Sequence, residues 1–344
     1  MLRKGTFILM KTKIQDMTSG SPGRLIILFA IPLMLGNICQ QLYTMVDTMV
    51  VGQVAGVEAL AALGAVDFLM WVVTGISTGL TQGFSIQLSQ YYGAKDFENL
   101  RKSLAHSYRL TAFIAVGVFI LSQSFAALVL TGLHTPSNII GMSLLYLRII
   151  FCGIPATAAY NMFASALRAM GNSKTPLTAM IIASVLNVSL DILFVAGFGW
   201  GVAGAAIATV IAQSFSAVYC FLILRRIDIV HLTRADFMPA SGMNARLMKL
   251  GIPVVFQNII IGVGGLVVQY VINGYGFLFV AGFTATNKLY GLLEMAAISY
   301  GYAIVTYVGQ NLGAGKIDRI RKGVRSSMPV SYTHLRAHET AANL

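Results

Sequence analysis

The chain has 344 residues, of which 56% are hydrophobic and only 10% charged, and its mean hydropathy is +0.75. Because a soluble domain carries about 25% charged residues, this composition excludes a chain of soluble domains and predicts a polytopic membrane protein in a lipid bilayer. The formal net charge of +12 does not indicate a nucleic-acid partner, since the Lys and Arg residues lie between apolar runs, where they set orientation in a membrane.

The first 17 residues contain basic residues but only a short apolar run, and they lack a small-residue cleavage site. They therefore predict a cytoplasmic N-terminal segment, residues 1–24, and not a signal peptide. Met17 is an alternative start, which would make the preceding residues an upstream extension.

Eight apolar runs follow, each long enough for the roughly 20 residues that cross a bilayer: 25–51, 59–85, 105–131, 139–164, 176–198, 201–224, 250–273 and 278–308. We therefore expect an all-α polytopic fold. The first six runs form a predicted N-lobe, residues 25–224, and residues 225–249 form a cytoplasmic loop between lobes. Runs 7 and 8, with the start of a ninth helix, form a partial C-lobe, residues 250–328.

Lys and Arg residues occur in every second connection between the runs. The N-terminal segment and the loops after runs 2, 4, 6 and 8 contain them, whereas the turns after runs 1, 3, 5 and 7 contain none. By the positive-inside rule, this pattern places the N-terminus in the cytoplasm. It predicts a multi-pass protein of the plasma (inner) membrane.

The sequence also repeats itself. The motif QYYGA at Gln90 recurs as QNLGA at Gln310, and Arg101 recurs as Arg321, so both pairs are 220 residues apart. Runs 1 and 2 therefore recur as runs 7 and 8, in the same orientation because an even number of runs separates the copies. The repeat predicts two parallel six-helix bundles in the full-length protein, related by an axis along the membrane normal. The first bundle is complete here, and two helices of the second are present.

The repeat stops fitting near the end of the chain. After Arg321 a ninth apolar helix is expected, but residues 329–344 are polar and too short to span a bilayer. This tail resembles a translated adapter sequence, so we expect it to be non-native and the natural protein to continue through four more helices. His334 and His338 therefore receive no metal-site interpretation.

Four acidic residues lie inside the apolar runs, namely Asp47, Asp67, Asp191 and Glu294. At about 1.5 Å per residue, Asp47 and Asp191 lie at similar depth, roughly 10 Å from the outer ends of their helices. Thr209 lies at that depth on run 6, and Asn187 is one turn deeper than Asp191 on the same face. We expect these oxygen-bearing groups to converge as a site for Na⁺, or for a proton, since close carboxylates favour proton uptake. Interhelical hydrogen bonds that only hold the bundle together are the alternative.

Other polar residues predict a hinge and a cleft. Pro32 frees a backbone carbonyl in run 1 and is a predicted hinge, with a static kink as the alternative. Polar side chains in runs 1, 2, 7 and 8 predict a wet substrate cleft between the bundles: Gln40, Gln41, Asp67, Gln257 and Glu294. Helix–helix hydrogen bonding is the other interpretation. No nucleotide-binding loop, zinc motif or nucleophile motif is present, so we predict neither an enzyme nor a cofactor.

Several motifs resemble the multidrug and toxic compound extrusion (MATE) family. The resemblance covers roughly residues 17–328 and rests on Met45–Thr48 with Gly52, Gln90–Ala94, Leu186–Asp191 and Gly201–Ala206. It implies twelve helices in two six-helix lobes that open alternately to each side and export organic cations in exchange for Na⁺ or H⁺. It also implies that Asp47, Asn187, Asp191 and Thr209 form an N-lobe cation site.

One departure concerns the start of run 7. Residues 253–261 contain no acid, which makes the chain similar to the DinF-like branch of the family. We therefore predict a monomeric secondary antiporter that exports small cationic or amphiphilic molecules by alternating access. A flippase for lipid-linked precursors of the same superfamily and a non-transporting fragment stay open as alternatives.

Overall fold

A computed structural model describes residues 14–327, without the side chains of residues 288–289 and 292–294. These residues include ten α-helices: α1 (Pro22–Val54), α2 (Val57–Gly64), α3 (Asp67–Gly93), α4 (Phe97–Gly132), α5 (Ile140–Cys152), α6 (Ile154–Ala169), α7 (Lys174–Asp191), α8 (Gly201–Leu224), α9 (Met243–Asn273) and α10 (Phe277–Gly313). Residues 317–327 are helical as well. A π-helix, Ile192–Gly197, follows α7, and two short 3₁₀-helices, Asp228–Val230 and Arg234–Phe237, precede α9. The predicted all-helical membrane fold is confirmed over the described residues.

Long apolar helices supply the membrane spans. Among the described residues, six spans are long and apolar enough to cross a membrane, with α2 and α3 counted together. A seventh results if α5 and α6, bent by 48°, form one span. These seven coincide with predicted runs 1 to 7. Run 8 falls in α10, whose described apolar segment Phe277–Asn287 is shorter, so the eighth span stays a prediction.

Three runs that were predicted as single helices are interrupted. Run 2 divides into α2 and α3 at Ala65, and run 5 changes to a π-helix after Asp191. Run 4 bends at Gly153, because Pro155 has no backbone N–H to continue the α5 ladder and instead lies in the first turn of α6. A Cβ at Gly153 would lie 2.7 Å from Val210 Cγ2, so the glycine lets the bend pack closely on α8.

The predicted loop at 225–249 is too long. Helix α9 begins at Met243, so residues 243–249 are helical. The boundary prediction was wrong because Asn244, Arg246 and Lys249 interrupt the apolar pattern in the first turns of α9. Helix position depends there on backbone hydrogen bonds and not on hydropathy.

The two copies of the repeat pack against each other reciprocally. Helix α3 packs on α9, and α1 packs on α10. Because α1 is equivalent to α9 and α3 to α10 in sequence, these two contacts are equivalent to each other. A Cβ on Gly93 would clash with the backbone of Gln310, and a Cβ on Gly313 would clash with the backbone of Gln90. A two-fold relation between the copies produces such paired contacts. The complete arrangement of two six-helix bundles stays a prediction.

The two ends of the helices differ in charge. The turns at 55–56, 133–139, 198–200 and 274–276 contain no Lys or Arg, and we call this the non-basic end. At the basic end, Lys or Arg residues lie in the segments that follow α3, α8 and α10, and Arg168 and Lys174 lie in the helix ends on either side of the turn at 170–173. Along the sides, large apolar residues are exposed, as at Phe113 (81%), which is expected of a surface in contact with lipid.

Candidate functional site

A cavity of about 320 Å³ is lined by α1, α2, α3, α5, α6, α8 and α10. Its charged lining residues in the described chain are Asp47, Asp67 and Arg168. The uncharged polar lining comes from Asn37, Gln40, Tyr43, Thr44, Thr48, Thr74, Thr78, Tyr146, Thr157, Tyr160, Asn161, Thr209, Gln213 and Tyr302. Because polar and ionisable groups inside a membrane bundle are costly and mark substrate or ion pathways, this cavity is the candidate functional site.

An acidic cluster, consisting of Asp47, Asn187, Asp191 and Thr209, lies at the wall of this cavity. Asp47 is 4% exposed, and Asn187 and Asp191 are fully buried at 0%. Asn187 and Asp191 are one helical turn apart on the same face of α7, and Asn187 Nδ2 donates to Thr209 Oγ1 at 3.4 Å. Asp47 and Thr209 line the cavity. The structure thus brings the four residues of the predicted ion site together.

Three oxygens of the acidic cluster, one on Asn187 and two on Asp191, lack hydrogen-bond partners in the described chain, although most buried polar atoms have them. Within residues 14–327, neither carboxylate oxygen of Asp191 accepts a hydrogen bond, and neither does Asn187 Oδ1. Asp191 also lies within electrostatic range of Asp47, so their negative charges repel each other. A buried charge without hydrogen bonds is strongly destabilising, and a bound cation or proton relieves this cost. Carboxylate, amide and hydroxyl oxygens are hard ligands, which suit Na⁺.

The backbone also changes at Asp191. Helix α7 ends there, and the π-helix Ile192–Gly197 begins. π-Helical segments are rare in proteins, and those that occur are often found at functional sites. Close packing accompanies the wider turn, since a Cβ on Gly204 of α8 would lie 3.0 Å from Phe194 Cβ. The apolar run 176–198 contained no sequence signal for this change.

The predicted ion site did not include Tyr43 and Gln213, which form a hydrogen bond beside the acidic cluster. Tyr43 is one turn before Asp47 on α1, and its hydroxyl accepts a hydrogen bond from Gln213 Nε2 at 3.1 Å. Gln213 is one turn after Thr209 on α8, so the pair joins α1 to α8. The spacing of four residues from Asp47 and from Thr209 is the sequence signal that identifies both partners.

The predicted cleft residues are distributed over different surroundings. Gln40 and Asp67 line the cavity. Gln41 instead packs against α10, and Gln257 is exposed on α9, outside the lining of the cavity. The side chain of Glu294 lies outside the described residues. Their common role in a substrate cleft stays a prediction.

The predicted hinge at Pro32 is distant from the acidic cluster. Pro32 lies inside α1, which runs as one helix from Pro22 to Val54. The separation of 15 positions between residues 32 and 47 corresponds to about 22 Å along the axis. Bending at Pro32 therefore acts four turns away from Asp47, and the hinge role stays a prediction.

The basic end of the cavity is bounded by Arg168 and Tyr302. Arg168 was predicted to lie in a loop after run 4, but α6 continues to Ala169 and carries it into the cavity lining. Its guanidinium carbon lies 4.7 Å from the ring centre of Tyr302 on α10. Beside this contact, Gln310 Nε2 donates to the carbonyl of Ala169 at 2.8 Å. The ends of α6 and α10 are thus joined below the cavity.

Comparison with known proteins links this architecture to one family. A family model described as MatE matches residues 32–193 and 253–333. The probable multidrug resistance protein YpnP of Bacillus subtilis is 32% identical over 308 residues, which cover 90% of this chain and 69% of that protein. The multidrug export protein MepA of Staphylococcus aureus is 22% identical over 309 residues, covering 88% and 68%.

The fold is also that of solved structures. One is described as the outward-facing conformation of a multidrug resistance MATE family transporter of the MOP superfamily. It aligns with a TM-score of 0.85 at 23% identity, covering 95% of this chain and 73% of that one. This likeness shows a shared fold.

Proposed function

The chain belongs to the MatE family of membrane transporters and is not an enzyme, and we propose that it is a secondary antiporter that exports organic cations in exchange for Na⁺ or H⁺. The observation that carries the proposal is the acidic cluster. Both carboxylate oxygens of the fully buried Asp191 lack hydrogen-bond partners among the described residues. The names of the relatives, a multidrug resistance protein and a multidrug export protein, support drug-like substrates.

The cavity and the acidic cluster share Asp47 and Thr209, which supplies a physical basis for exchange. With both carboxylates ionised, the cavity wall is negative and attracts an organic cation toward Asp47 and Asp67. Binding of Na⁺ or a proton at Asp191 neutralises part of this charge and weakens the attraction. Coupling then follows from a difference in ion affinity between two conformations, one open to each side of the membrane.

Orientation and assembly are part of the proposal. The basic end faces the cytoplasm, in the plasma (inner) membrane, because positive loops are retained on that side. The proposed working unit is a monomer. The absence of an acid at residues 253–261 of α9 supports a DinF-like branch.

The charge of the cavity favours an antiporter over a flippase for lipid-linked precursors. Its described lining contains two carboxylates, Asp47 and Asp67, against one guanidinium, Arg168. A wall with this balance favours cations over the phosphate groups of a lipid-linked precursor.

The substitution Asp191→Asn tests the coupling role, because it keeps the shape of the side chain and removes its charge. The melting temperature of the purified chain in nanodiscs is measured with increasing Na⁺ against choline, and separately with decreasing pH. A ligand that binds only the folded state stabilises it, so the unsubstituted chain should gain stability from one of the two ions and Asp191→Asn from neither. In proteoliposomes, gradient-driven efflux of a cationic dye should fall by at least about tenfold.

Asp318→Asn is the matched control for this change. The Asp318 side chain is 91% exposed at the basic end, and its Oδ1 lies 3.7 Å from Arg321 Nη1. An exposed ion pair contributes little to stability, so this variant should respond to ions and transport dye like the unsubstituted chain. If Asp191→Asn also keeps the full ion response and efflux, the acidic cluster has no coupling role.

A further inference from the structure

The cavity carries charges of opposite sign toward its two ends. Asp67 is the first residue of α3 and lies nearer the non-basic end than the rest of that helix, and α3 lines the cavity from there to Thr78. Those eleven steps correspond to about 16 Å along the helix. Arg168 lies in the last turn of α6, at the basic end. A molecule that fills the cavity therefore meets carboxylates at one end and a guanidinium at the other.

Arg168 keeps hydrogen-bond donors for a ligand. Its contact with the ring of Tyr302, at 4.7 Å from the ring centre, uses the face of the planar guanidinium, whereas its N–H groups donate in the plane. Within the described chain, the one hydrogen bond of the guanidinium runs from Nη2 to Ser165 Oγ at 2.8 Å. No carboxylate of the described residues lies within 4.0 Å of the Arg168 guanidinium, which is the limit for an ion pair. The N–H groups of Nε and Nη1 are therefore available to donate hydrogen bonds to a ligand.

We propose that Arg168 is a specificity-determining residue that binds the carboxylate of a dipolar substrate, an elongated aromatic zwitterion whose amine end lies near Asp47 and Asp67. This inference rests on the proposed function, because it takes the cavity as the place where the exported cation binds. Four aromatic rings also line the cavity, those of Tyr43, Tyr146, Tyr160 and Tyr302. Rings of this kind favour a flat, apolar body between the two charged ends.

The same arrangement disfavours simple monocations. A cation without an acceptor group leaves the Arg168 guanidinium desolvated and unpaired at the basic end of the cavity, which costs binding free energy. A zwitterion satisfies both ends, because its carboxylate accepts charge-assisted hydrogen bonds from the guanidinium fork. The cavity therefore discriminates between molecules that share a cationic group and differ only in a carboxylate.

Two fluorescent dyes supply this comparison. Rhodamine 123 carries a methyl ester, and rhodamine 110 is the same dye with a free carboxylate. Equilibrium binding to the purified chain in nanodiscs is measured by fluorescence anisotropy. The unsubstituted chain should bind rhodamine 110 more tightly than rhodamine 123. Arg168→Gln should lower the affinity for rhodamine 110 by about tenfold or more, which is the effect of losing a hydrogen bond to a charged group. The affinity for rhodamine 123 should change by less than about twofold.

Further variants separate recognition from a purely structural contact. Arg168→Lys keeps the charge but not the planar fork, so it should recover part of the affinity for rhodamine 110. Tyr302→Leu removes the ring and keeps the guanidinium, so it should affect both dyes alike. Equal weakening of both dyes by Arg168→Gln, or unchanged binding of rhodamine 110, overturns the proposal.

The unsubstituted chain offers a test that needs no variant to fold. Tighter binding of rhodamine 123 than of rhodamine 110 also overturns the role of Arg168, while cation binding in the cavity survives. Binding of neither dye overturns the proposed function itself, and the role of Arg168 falls with it.

Discussion

At the scale of single residues, the bond between Tyr43 and Gln213 supports the wall that holds Asp47. Tyr43 is 3% exposed, and Gln213 Oε1 has no hydrogen-bond partner in the described chain. Tyr43→Phe removes the hydroxyl that accepts a hydrogen bond from Gln213 Nε2. Both the nitrogen and the oxygen of this buried amide then lack a hydrogen-bond partner in the described chain. We expect the free energy of unfolding to fall by about 1–3 kcal/mol, seen as a lower melting temperature in nanodiscs. Tyr219→Phe, on a partly exposed face of α8, is the control, and an equal loss in both variants would contradict this role.

Residue types alone were sufficient to find the acidic cluster but not its chemistry. Asp191 and Thr209 were predicted to meet because polar residues are rare in apolar runs and helix geometry fixes their depth. The absence of hydrogen bonds to Asp191 depends on side-chain positions, which no spacing encodes. Arg168 was predicted to lie in a loop because basic residues usually flank the runs. Its place in the cavity depends on where α6 ends, and there α6 contacts Tyr302 and Gln310 of α10.

At the scale of helices, the bend between α5 and α6 depends on Gly153. Gly153→Ala places a methyl group 2.7 Å from Val210 Cγ2, so the bend or α8 must move, and overpacking of this kind costs about 1–3 kcal/mol. Gly141→Ala in α5 is the matched control, because nothing lies within 4 Å of its Cβ position. We expect a lower melting temperature only for Gly153→Ala. Equal melting temperatures for the two variants would show that the bend does not need a glycine.

The helical breaks show why hydropathy predicts spans better than their interiors. An average over about 20 residues locates a run but is insensitive to single positions such as Gly153 or Ala65. Pro155 was visible in the sequence, yet proline is tolerated inside membrane helices, as Pro32 is in the continuous α1. Whether a proline breaks the helix depends on neighbouring contacts, and those are tertiary. The π-helix after Asp191 is a further case, since its packing partner lies on α8.

At the scale of the whole molecule, a strap before α1, residues 15–20, joins the ends of α6 and α10. The backbone N–H of Gln15 donates to the carbonyl of Gly171 at 3.1 Å, just after α6. Met17 is fully buried at 0%, and its N–H donates to Gln310 Oε1 at 3.0 Å. The sequence predicted only a cytoplasmic segment here, because backbone hydrogen bonds leave no compositional trace. The strap closes the basic end of the molecule.

Gln310 connects all three elements that meet at this end. Its Oε1 accepts from Met17 in the strap, and its Nε2 donates to Ala169 O at the end of α6, at 2.8 Å. Gln310 itself belongs to α10 and is fully buried at 0%. On the proposed alternating-access mechanism, these elements separate when the cavity opens at the basic end. The two bonds of Gln310 therefore oppose that opening.

Gln310→Ala should make the basic end open more readily, because it leaves a buried backbone donor and a buried acceptor unpaired. Amide hydrogen exchange of residues 15–20 and 169–172, measured in nanodiscs, should accelerate by about tenfold, since exchange reports local opening. Lys316→Ala is the control, as it removes the exposed bond from Lys316 Nζ to Thr18 O at 2.8 Å and the attraction of Lys316 for the Asp16 carboxylate, and it leaves no buried group unpaired. Exchange should then stay near that of the unsubstituted chain. If protection in both segments survives Gln310→Ala, the two bonds of Gln310 do not control the opening of the basic end.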